Sequence, residues 1–337
     1  MTAMTADSIL VAGAGSWGTA LAIHLARNGH ATVLWGHDAG HIARIAHARR
    51  NERYLPDVEF PLLLSVEDEL EGTLRRARDV ILAVPCKALR EVAQLVAVHA
   101  RPDVRISWAC KGIDVDTLQL PHAIVAEQFG ADCPAAVVSG PTFANEVAAG
   151  LPTAVVVASD DAEFARDLAG YLHGGAFRAY VGDDVVGVEV GGAVKNVLAI
   201  AAGISDGLGF GANSRAALIT RGLAELTRLG VAMGARMETF MGLAGLGDLV
   251  LTCTQDQSRN RRLGLAIARG RSVAEAAAEI GQVVEGIRTA EALQRLSRKQ
   301  GVEMPICDQV AMVLSGRCSP REAVQALLAR EPKSEGG

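Results

Sequence analysis

The sequence predicts two halves built on different plans, an α/β half with a mostly parallel, doubly wound sheet followed by an all-α half. Three observations carry this. Over the first 180 of 337 residues, short apolar runs rich in β-branched residues recur. Stretches of helical period sit between several of them, as in a sheet covered on both faces. After about residue 186 the runs stop and only helical periods follow, so the boundary falls between 183 and 190, dividing the chain into 1–186 and 187–337.

Taken in order, the expected strands are SILVAGAG (8–15), ATVLW (31–35), DVILAVP (79–85), VRISWA (104–109), AAVVSG (135–140) and TAVVVAS (153–159), with helices at 17–29 and 86–99. The second half reads as helices over 187–206, 214–230, 259–269, 272–280, 286–299 and 319–329, with Ser272 and Glu275 spaced as a capping box. The tail EPKSEGG is expected to fray.

Composition narrows the function. The net charge of -5 comes without a basic tail, which argues against nucleic acid or an anionic membrane as partner. No positive region precedes the first apolar run, as a secretory signal would need. The most apolar window, 185–204, is interrupted by Glu189 and Lys195 and is rich in glycine, which argues against a membrane span. The six cysteines are scattered without a C-x-x-C pair, as in a reduced, cytoplasmic protein. All eight histidines lie at or before His173, so no Cys/His metal cluster is expected, and the second half has no histidine to move protons.

The chemistry begins at Gly13, Gly15 and Gly18, a G-x-G-x-x-G that follows a strand and opens a helix. The first glycine permits the tight turn, and the second admits a pyrophosphate. The third lets the helix pack on its strand with its free amides facing the anion, so the pattern reads as a dinucleotide site. The second strand ends in Gly36, His37 and Asp38, without the strand-end acid that would hold an adenosine ribose. Both NADPH and NADH stay open: the missing acid tolerates a 2′-phosphate, and Asp38 could serve NADH. Arg44, Arg49, Arg50 and Arg53 follow, with a solvated helix face as the plain alternative for at least two of them.

The chain has only five lysines against 28 arginines, yet Lys195 sits in the apolar run EVGGAVKNVLAIAAG. On a helix, Val190, Val194, Val197, Leu198, Ala201 and Ile204 form an apolar stripe. Gly192, Asn196, Ala199 and Gly203 form a second, narrow one. Two adjacent glycines cost about 1 kcal/mol each in a helix, so something must approach the backbone closely. Lys195 would then either snorkel to water or donate a proton to a carbonyl beside the cofactor. Burial would lower its pKa and improve it as a donor, which arginine could not match.

These residues, with the segments GAGSWGTALA, LWGHD, VILAVP, ACKGID, SGPTFANEV, VKN…NSRAALITRG, GLGDLVLTC…SRN and GQVVEG, resemble the bacterial-type NAD(P)-dependent glycerol-3-phosphate dehydrogenases from about residue 8 to 330. The resemblance implies a Rossmann domain followed by an all-α domain of the 6-phosphogluconate-dehydrogenase-like type. It implies reversible reduction of dihydroxyacetone phosphate to sn-glycerol 3-phosphate with NADPH or NADH, without a metal. That product supplies the backbone of phospholipids, and a homodimer is expected. Carried over by residue, Ser16, Trp17, His37, Lys111, Ala144, Arg259, Val283 and Glu285 would meet the cofactor beside the three glycines. Lys111, Gly140, Thr142, Asp248, Ser258, Arg259 and Asn260 would hold the substrate, with Lys195 as proton donor.

The residues support this. QSRNRRLG opens a helix with serine and asparagine, an anion site where Arg259 can grip phosphate, although Arg261 or Arg262 reads equally as a basic helix face. Asp248 in GLGDL could be only a helix cap. Gly140 and Pro141 turn the chain after a strand, and Thr142 is placed to cap the next helix. Lys87, Lys299 and Lys333 read as surface. Two rivals stand beside this reading. A related β-hydroxyacid or ketoacid reductase would need a carboxylate clamp, and a non-catalytic NADPH-binding sensor would need no lysine at this place.

Overall fold

The computed structural model describes residues 8–331, so Lys333 and most of the tail lie outside the described residues. The first part runs β1 (Ser8–Ala12), α1 (Ser16–Arg27), β2 (Thr32–Trp35), α2 (Ala39–Ala48), β3 (Arg50–Asn51), β4 (Leu55–Glu59), β5 (Leu64–Glu67), α3 (Glu71–Leu74), β6 (Ala77–Leu82) and α4 (Cys86–His99). It continues through β7 (Arg105–Trp108), α5 (Pro121–Phe129), β8 (Ala135–Ser139), α6 (Ala144–Ala148), β9 (Thr153–Ala158), α7 (Ala162–Leu172) and β10 (Phe177–Gly182). Eight strands form one sheet in the order β10-β9-β8-β7-β6-β1-β2-β5. Neighbours are parallel except β8 and β9.

All six strands read from the sequence are present. The four unread ones are β3 and β4, a small antiparallel pair beside the main sheet, and β5 and β10, which form its two edges. An edge strand is buried on fewer sides and carries polar residues, so LSVE and FRAYVG lack the continuous apolar run of a central strand.

The order reverses at β1, with β2 on one side and β6 on the other. The loops after β1 and β6 therefore part there and leave a crevice at the carboxyl edge of the sheet. The Gly13 N–H donates to Trp35 O at 2.8 Å and that of Ala83 to Ala12 O at 2.8 Å, which fixes the floor of the crevice.

The helical part runs α8 (Val185–Gly207), α9 (Ala212–Ala232), α10 (Met237–Met241), a π-helical turn (Leu243–Gly247), α11 (Asp248–Thr254), α12 (Arg259–Ala268), α13 (Val273–Ile280), α14 (Glu285–Lys299), α15 (Pro305–Leu314) and α16 (Pro320–Leu328). The expected Ser272–Glu275 capping box is formed. The segment 237–254 and α15 were not read as helices, because glycines punctuate the first and α15 is apolar with little polar spacing.

α8 is the axis of this part. Every residue from Gly187 to Ser205 is buried, which is why the helix is apolar on nearly every face. It is also the one described helix long and apolar enough to cross a membrane, yet its surroundings are protein. Its glycines mark close approaches. A Cβ on Gly191 would lie 2.4 Å from the Ala244 carbonyl oxygen, and one on Gly203 would lie 2.1 Å from that of Arg261. In return, a Cβ on Gly264 of α12 would lie 2.1 Å from Ile200 O. The expected close approach to this backbone is thus made by the π-helical turn and by α12.

Near its start α8 also rests on the sheet. Glu189 is 4% exposed and accepts from Trp108 Nε1 at 2.9 Å and from the His122 N–H at 2.7 Å, with His122 Nδ1 on its other oxygen at 2.5 Å.

Candidate active site

The candidate site lies where the carboxyl edge of the sheet meets α8. At its centre is Asp248, 1% exposed, with both carboxylate oxygens taken by lysines. Lys195 Nζ donates to Asp248 Oδ1 at 2.6 Å and Lys111 Nζ to Oδ2 at 2.7 Å. Lys195 also donates to Thr252 Oγ1 at 2.9 Å, and Lys111 to Gly140 O at 2.9 Å. Each ammonium has three donors, so each keeps one for a ligand.

Two cations and one anion leave the cluster with a net positive charge where water is scarce, an arrangement suited to an anionic ligand. Burial pulls the Lys195 pKa down to about 8 against the opposing pull of Asp248, and the Lys111 charge pulls the same way as burial. Burial pushes Asp248 up, but the two ammonium groups outweigh this and hold it below the usual carboxylate range.

Local structure explains the placement. Lys111 follows β7, and Gly140 follows β8. Gly140 has φ +158°, and a Cβ there would lie 2.8 Å from Ala154 O, so the turn that offers its carbonyl to Lys111 needs glycine. Asp248 is the first residue of α11, fed by the π-helical turn, rather than the cap of that helix: the N-cap is Gly247. π-Helical turns are rare and concentrate at functional sites. Thr142 does not cap α6 either. The N-cap is Phe143, and Thr142 Oγ1 donates back to Gly140 O at 3.1 Å.

A chain of amides joins this centre to the start of α12. Asn196 Nδ2 donates to Lys111 O at 3.3 Å, and Asn260 Nδ2 donates to Asn196 Oδ1 at 2.9 Å. The Gly286 N–H then donates to Asn260 Oδ1 at 3.0 Å. The Asn260 side chain is therefore engaged at both ends and acts as a brace. Ser258 is the N-cap of α12, its Oγ accepting from the Arg261 N–H at 3.2 Å.

Arg259 follows, with Nη1 3.5 Å from Gln282 Oε1. Burial lowers its pKa while the charge of Glu285 supports the cation. Glu285 accepts from the Cys86 N–H at 3.3 Å, which brings the segment 281–286 against the start of α4. Burial pushes Glu285 up, and that amide and Arg259 offset part of the rise. Val283 stands 40% exposed beside it.

Arg261 does not belong to a basic helix face. It is 6% exposed and pairs with Asp206 and with Asp256, the latter at 2.9 Å, while Arg262 is the exposed one.

The glycine loop fits a dinucleotide. Gly13 has φ +133°, and a Cβ there would lie 2.4 Å from Ala83 O. One on Gly18 would lie 1.9 Å from Gly13 O. A Cβ on Gly15 would meet nothing within 4 Å, so this glycine faces open space where an anion can approach. Gly15 caps α1 without a side-chain bond, leaving the amides of Ser16 and its neighbours free. Trp17 and Ala144 pack on the same apolar cluster beneath.

His37 is exposed just after the end of β2. Asp38 is spent as the N-cap of α2, accepting from the His41 N–H at 2.9 Å, which weakens its claim on a ribose. Arg49 and Arg50 are structural. Arg49 donates to the carbonyls of Phe60, Pro61 and Leu64 at 3.2, 2.6 and 2.8 Å, and Arg50 pairs with Glu59 at 2.9 Å. Arg44 and Arg53 are exposed, as are Lys87 and Lys299.

Sequence reasoning missed two parts of the site. Thr252 lies four residues after Asp248, a spacing that places it on the same helix face and could have found it. Asn51 is fully buried and pins the glycine loop through Ala14 O at 3.1 Å and Thr19 Oγ1 at 2.8 Å, and no local pattern announces it.

A glycine cradle at the switch point of the sheet together with a buried lysine on the helix that follows the sheet defines a nicotinamide-dinucleotide oxidoreductase. The comparisons specify which kind. Residues 8–165 match the N-terminal part of NAD-dependent glycerol-3-phosphate dehydrogenase, and residues 184–325 match the C-terminal part. The glycerol-3-phosphate dehydrogenase (NAD(P)+) of Edwardsiella ictaluri is 56% identical over 329 residues, 97% of each chain. That of Aeromonas salmonicida is 54% identical over 329 residues, covering 97% of this chain and 98% of the relative. A crystal structure of the Coxiella burnetii glycerol-3-phosphate dehydrogenase superposes with a TM-score of 0.93 at 47% identity, over 96% of this chain and 99% of that one. The chain belongs to the NAD-dependent glycerol-3-phosphate dehydrogenase family.

Proposed function

We infer that this protein reduces dihydroxyacetone phosphate reversibly to sn-glycerol 3-phosphate with NADH or NADPH. The observation that carries the reading is the Lys111–Asp248–Lys195 bridge, which joins the sheet edge to α8. In the proposed division of labour, residues 1–186 form the dinucleotide-binding domain and 187–337 the helical substrate and dimerisation domain, each lending residues to the other's ligand. The last strand ending at Gly182 and α8 starting at Val185 support it.

The roles are those the family resemblance implies, and the lysine cluster and the glycine loop support them. Gly13, Gly15 and Gly18, with Ser16 and Trp17, would seat the pyrophosphate at the start of α1. His37 would stand by the adenosine ribose, and Ala144, Val283 and Glu285 would close over the dinucleotide. When bound, the nicotinamide supplies the hydride. Arg259, with the Ser258 hydroxyl and the Asn260 backbone amide at the start of α12, grips the substrate phosphate, and that remote binding holds the ketone in reacting geometry. Lys111, Gly140 and Thr142 line the opposite wall.

Lys195 points its remaining N–H at the ketone oxygen and passes it the proton as negative charge builds there. In the reverse direction neutral Lys195 takes the proton back. A pKa of about 8 keeps it charged at neutral pH yet lets it release the proton more readily than an ordinary lysine. Asp248 keeps the two ammonium groups side by side and fixes their direction.

The test is the loss of nicotinamide absorbance on adding dihydroxyacetone phosphate, with NADH and NADPH in turn. No loss with either cofactor would end the reading.

The proposal extends to assembly and setting. A groove of about 1160 Å³ between α8, α9, α15 and α16 is lined by Phe210, Val231, Met237 and Leu328, each at least 40% exposed. Such a face supports the homodimer, which sedimentation would test. A cytoplasmic setting and a supply of glycerol phosphate for phospholipids follow from the same reading, and fractionation and lipid labelling would check them.

A further inference from the structure

Ser139 is the last residue of β8 and is 3% exposed, yet its Oγ has no hydrogen-bond partner among the described residues. Buried hydroxyls are nearly always paired, so one left over beside a ligand cleft calls for an explanation.

Its position is defined from the α8 side. A Cβ built on Gly192 would lie 3.3 Å from Ser139 Oγ and 3.2 Å from Lys111 Cγ. The hydroxyl thus sits in the seam between the sheet and α8, beside the stem of Lys111. Gly192, Lys195 and Asn196 share one face of α8 by their spacing of three and four residues. At one end of that face Asn196 is bonded to Asn260, next to Arg259 and the phosphate grip. Lys195 comes next, and Gly192 with Ser139 lies at the other end, about 6 Å from Asn196 at a rise of about 1.5 Å per residue.

Dihydroxyacetone phosphate has the same order of groups: phosphate, ketone and hydroxymethyl. With the phosphate at Arg259 and the ketone at Lys195, the C1 hydroxyl falls at the Ser139 end. We propose that Ser139 Oγ hydrogen-bonds the C1 hydroxyl of the substrate and so selects a hydroxymethyl ketone over a methyl ketone. A hydroxyl can donate to or accept from its partner, so it suits both the ketone and the alcohol of the reversible reaction. Glycine at 192 leaves the room: a methyl there would crowd both Ser139 and Lys111.

This inference rests on the reaction proposed above, and the test separates the two. Steady-state reduction is measured with dihydroxyacetone phosphate and with hydroxyacetone phosphate, the same molecule without the C1 hydroxyl, for the native chain and Ser139→Ala. The native enzyme should favour dihydroxyacetone phosphate about tenfold in kcat/KM. Ser139→Ala should lose about tenfold on dihydroxyacetone phosphate, stay within about twofold on hydroxyacetone phosphate, and keep its KM for the nicotinamide cofactor. An equal loss on both ketones, a raised cofactor KM or no loss on either overturns the proposal while leaving the reaction standing. A native enzyme that reduces neither ketone overturns the reaction and this inference with it. Should the alanine variant fail to fold, Ser139→Cys, close in volume and a weaker hydrogen-bonding group, is read against the same outcomes.

Discussion

Glu189 and Lys195 lie six residues apart on α8, both buried and both charged by type, but their surroundings differ. Glu189 is closed off: Trp108, the His122 amide and the His122 ring occupy its oxygens. Lys195 has one carboxylate shared with a second lysine, one hydroxyl and a donor left over. A buried charge whose partners are complete holds structure in place. One whose partners fall short keeps capacity for a ligand. Burial alone does not distinguish a working residue from a structural one; the tally of partners does.

Substitutions at the two buried charges and their partners separate a working residue from a structural one. The largest effect should come from Lys195→Met, which lowers kcat about a thousandfold, within the range for losing a general acid. Cofactor affinity by fluorescence titration should stay near native, and near-native turnover would remove Lys195 from the proton step. Asp248→Asn leaves two ammonium groups facing each other without a counter-charge. It should cost about a hundredfold in kcat and move the alkaline limb of the pH profile to lower pH, because Asp248 is what raises the Lys195 pKa. Arg259→Ala should raise the KM for dihydroxyacetone phosphate some tens of times with a smaller change in kcat, as read from substrate titrations.

The pH dependence of the unmodified enzyme sharpens the contrast. Lys195 holds its proton below about 8, so reduction should fall as pH rises through that value while oxidation of glycerol 3-phosphate rises. Initial rates in both directions would show a shared limb. Because its pKa is lowered in the fold, the unfolded chain binds more protons between about 8 and the ordinary lysine value. The contribution of this group to stability therefore increases with pH across that window. The smallest effect on turnover belongs to Glu189→Gln, with kcat within about twofold but stability reduced by about 2 kcal/mol in denaturant titrations.

The sequence made the architecture readable where the physics is local. The central strands declare themselves because both faces are covered, and α8 because it is apolar almost all round. The glycine loop is readable because each glycine answers a separate steric demand. The edge strands β5 and β10 hide because half-exposed strands mix charge with apolar residues. The lysine cluster was legible in part. Lys195 stands out as a rare lysine in an apolar run, and the family resemblance pointed to Lys111 and Asp248. The two bonds that make Asp248 a bridge depend on contacts across 53 and 137 residues, which no local period records. Which of Arg261 and Arg262 faces water was hidden for the same reason: Arg261 is drawn inward by Asp206 from a different helix, and Arg262 keeps the exposed face.

The crossing of α8 and α12 carries a mechanical consequence. Gly203 and Gly264 let the two main chains touch, so the offset between the opening of α12 and the amine on α8 is set by backbone against backbone. Side chains can change rotamer under thermal motion, but this spacing has no rotatable part. In the proposed reaction it serves as a fixed gauge, and a methyl group added at either glycine would reset the length of substrate that the two ends can hold at once.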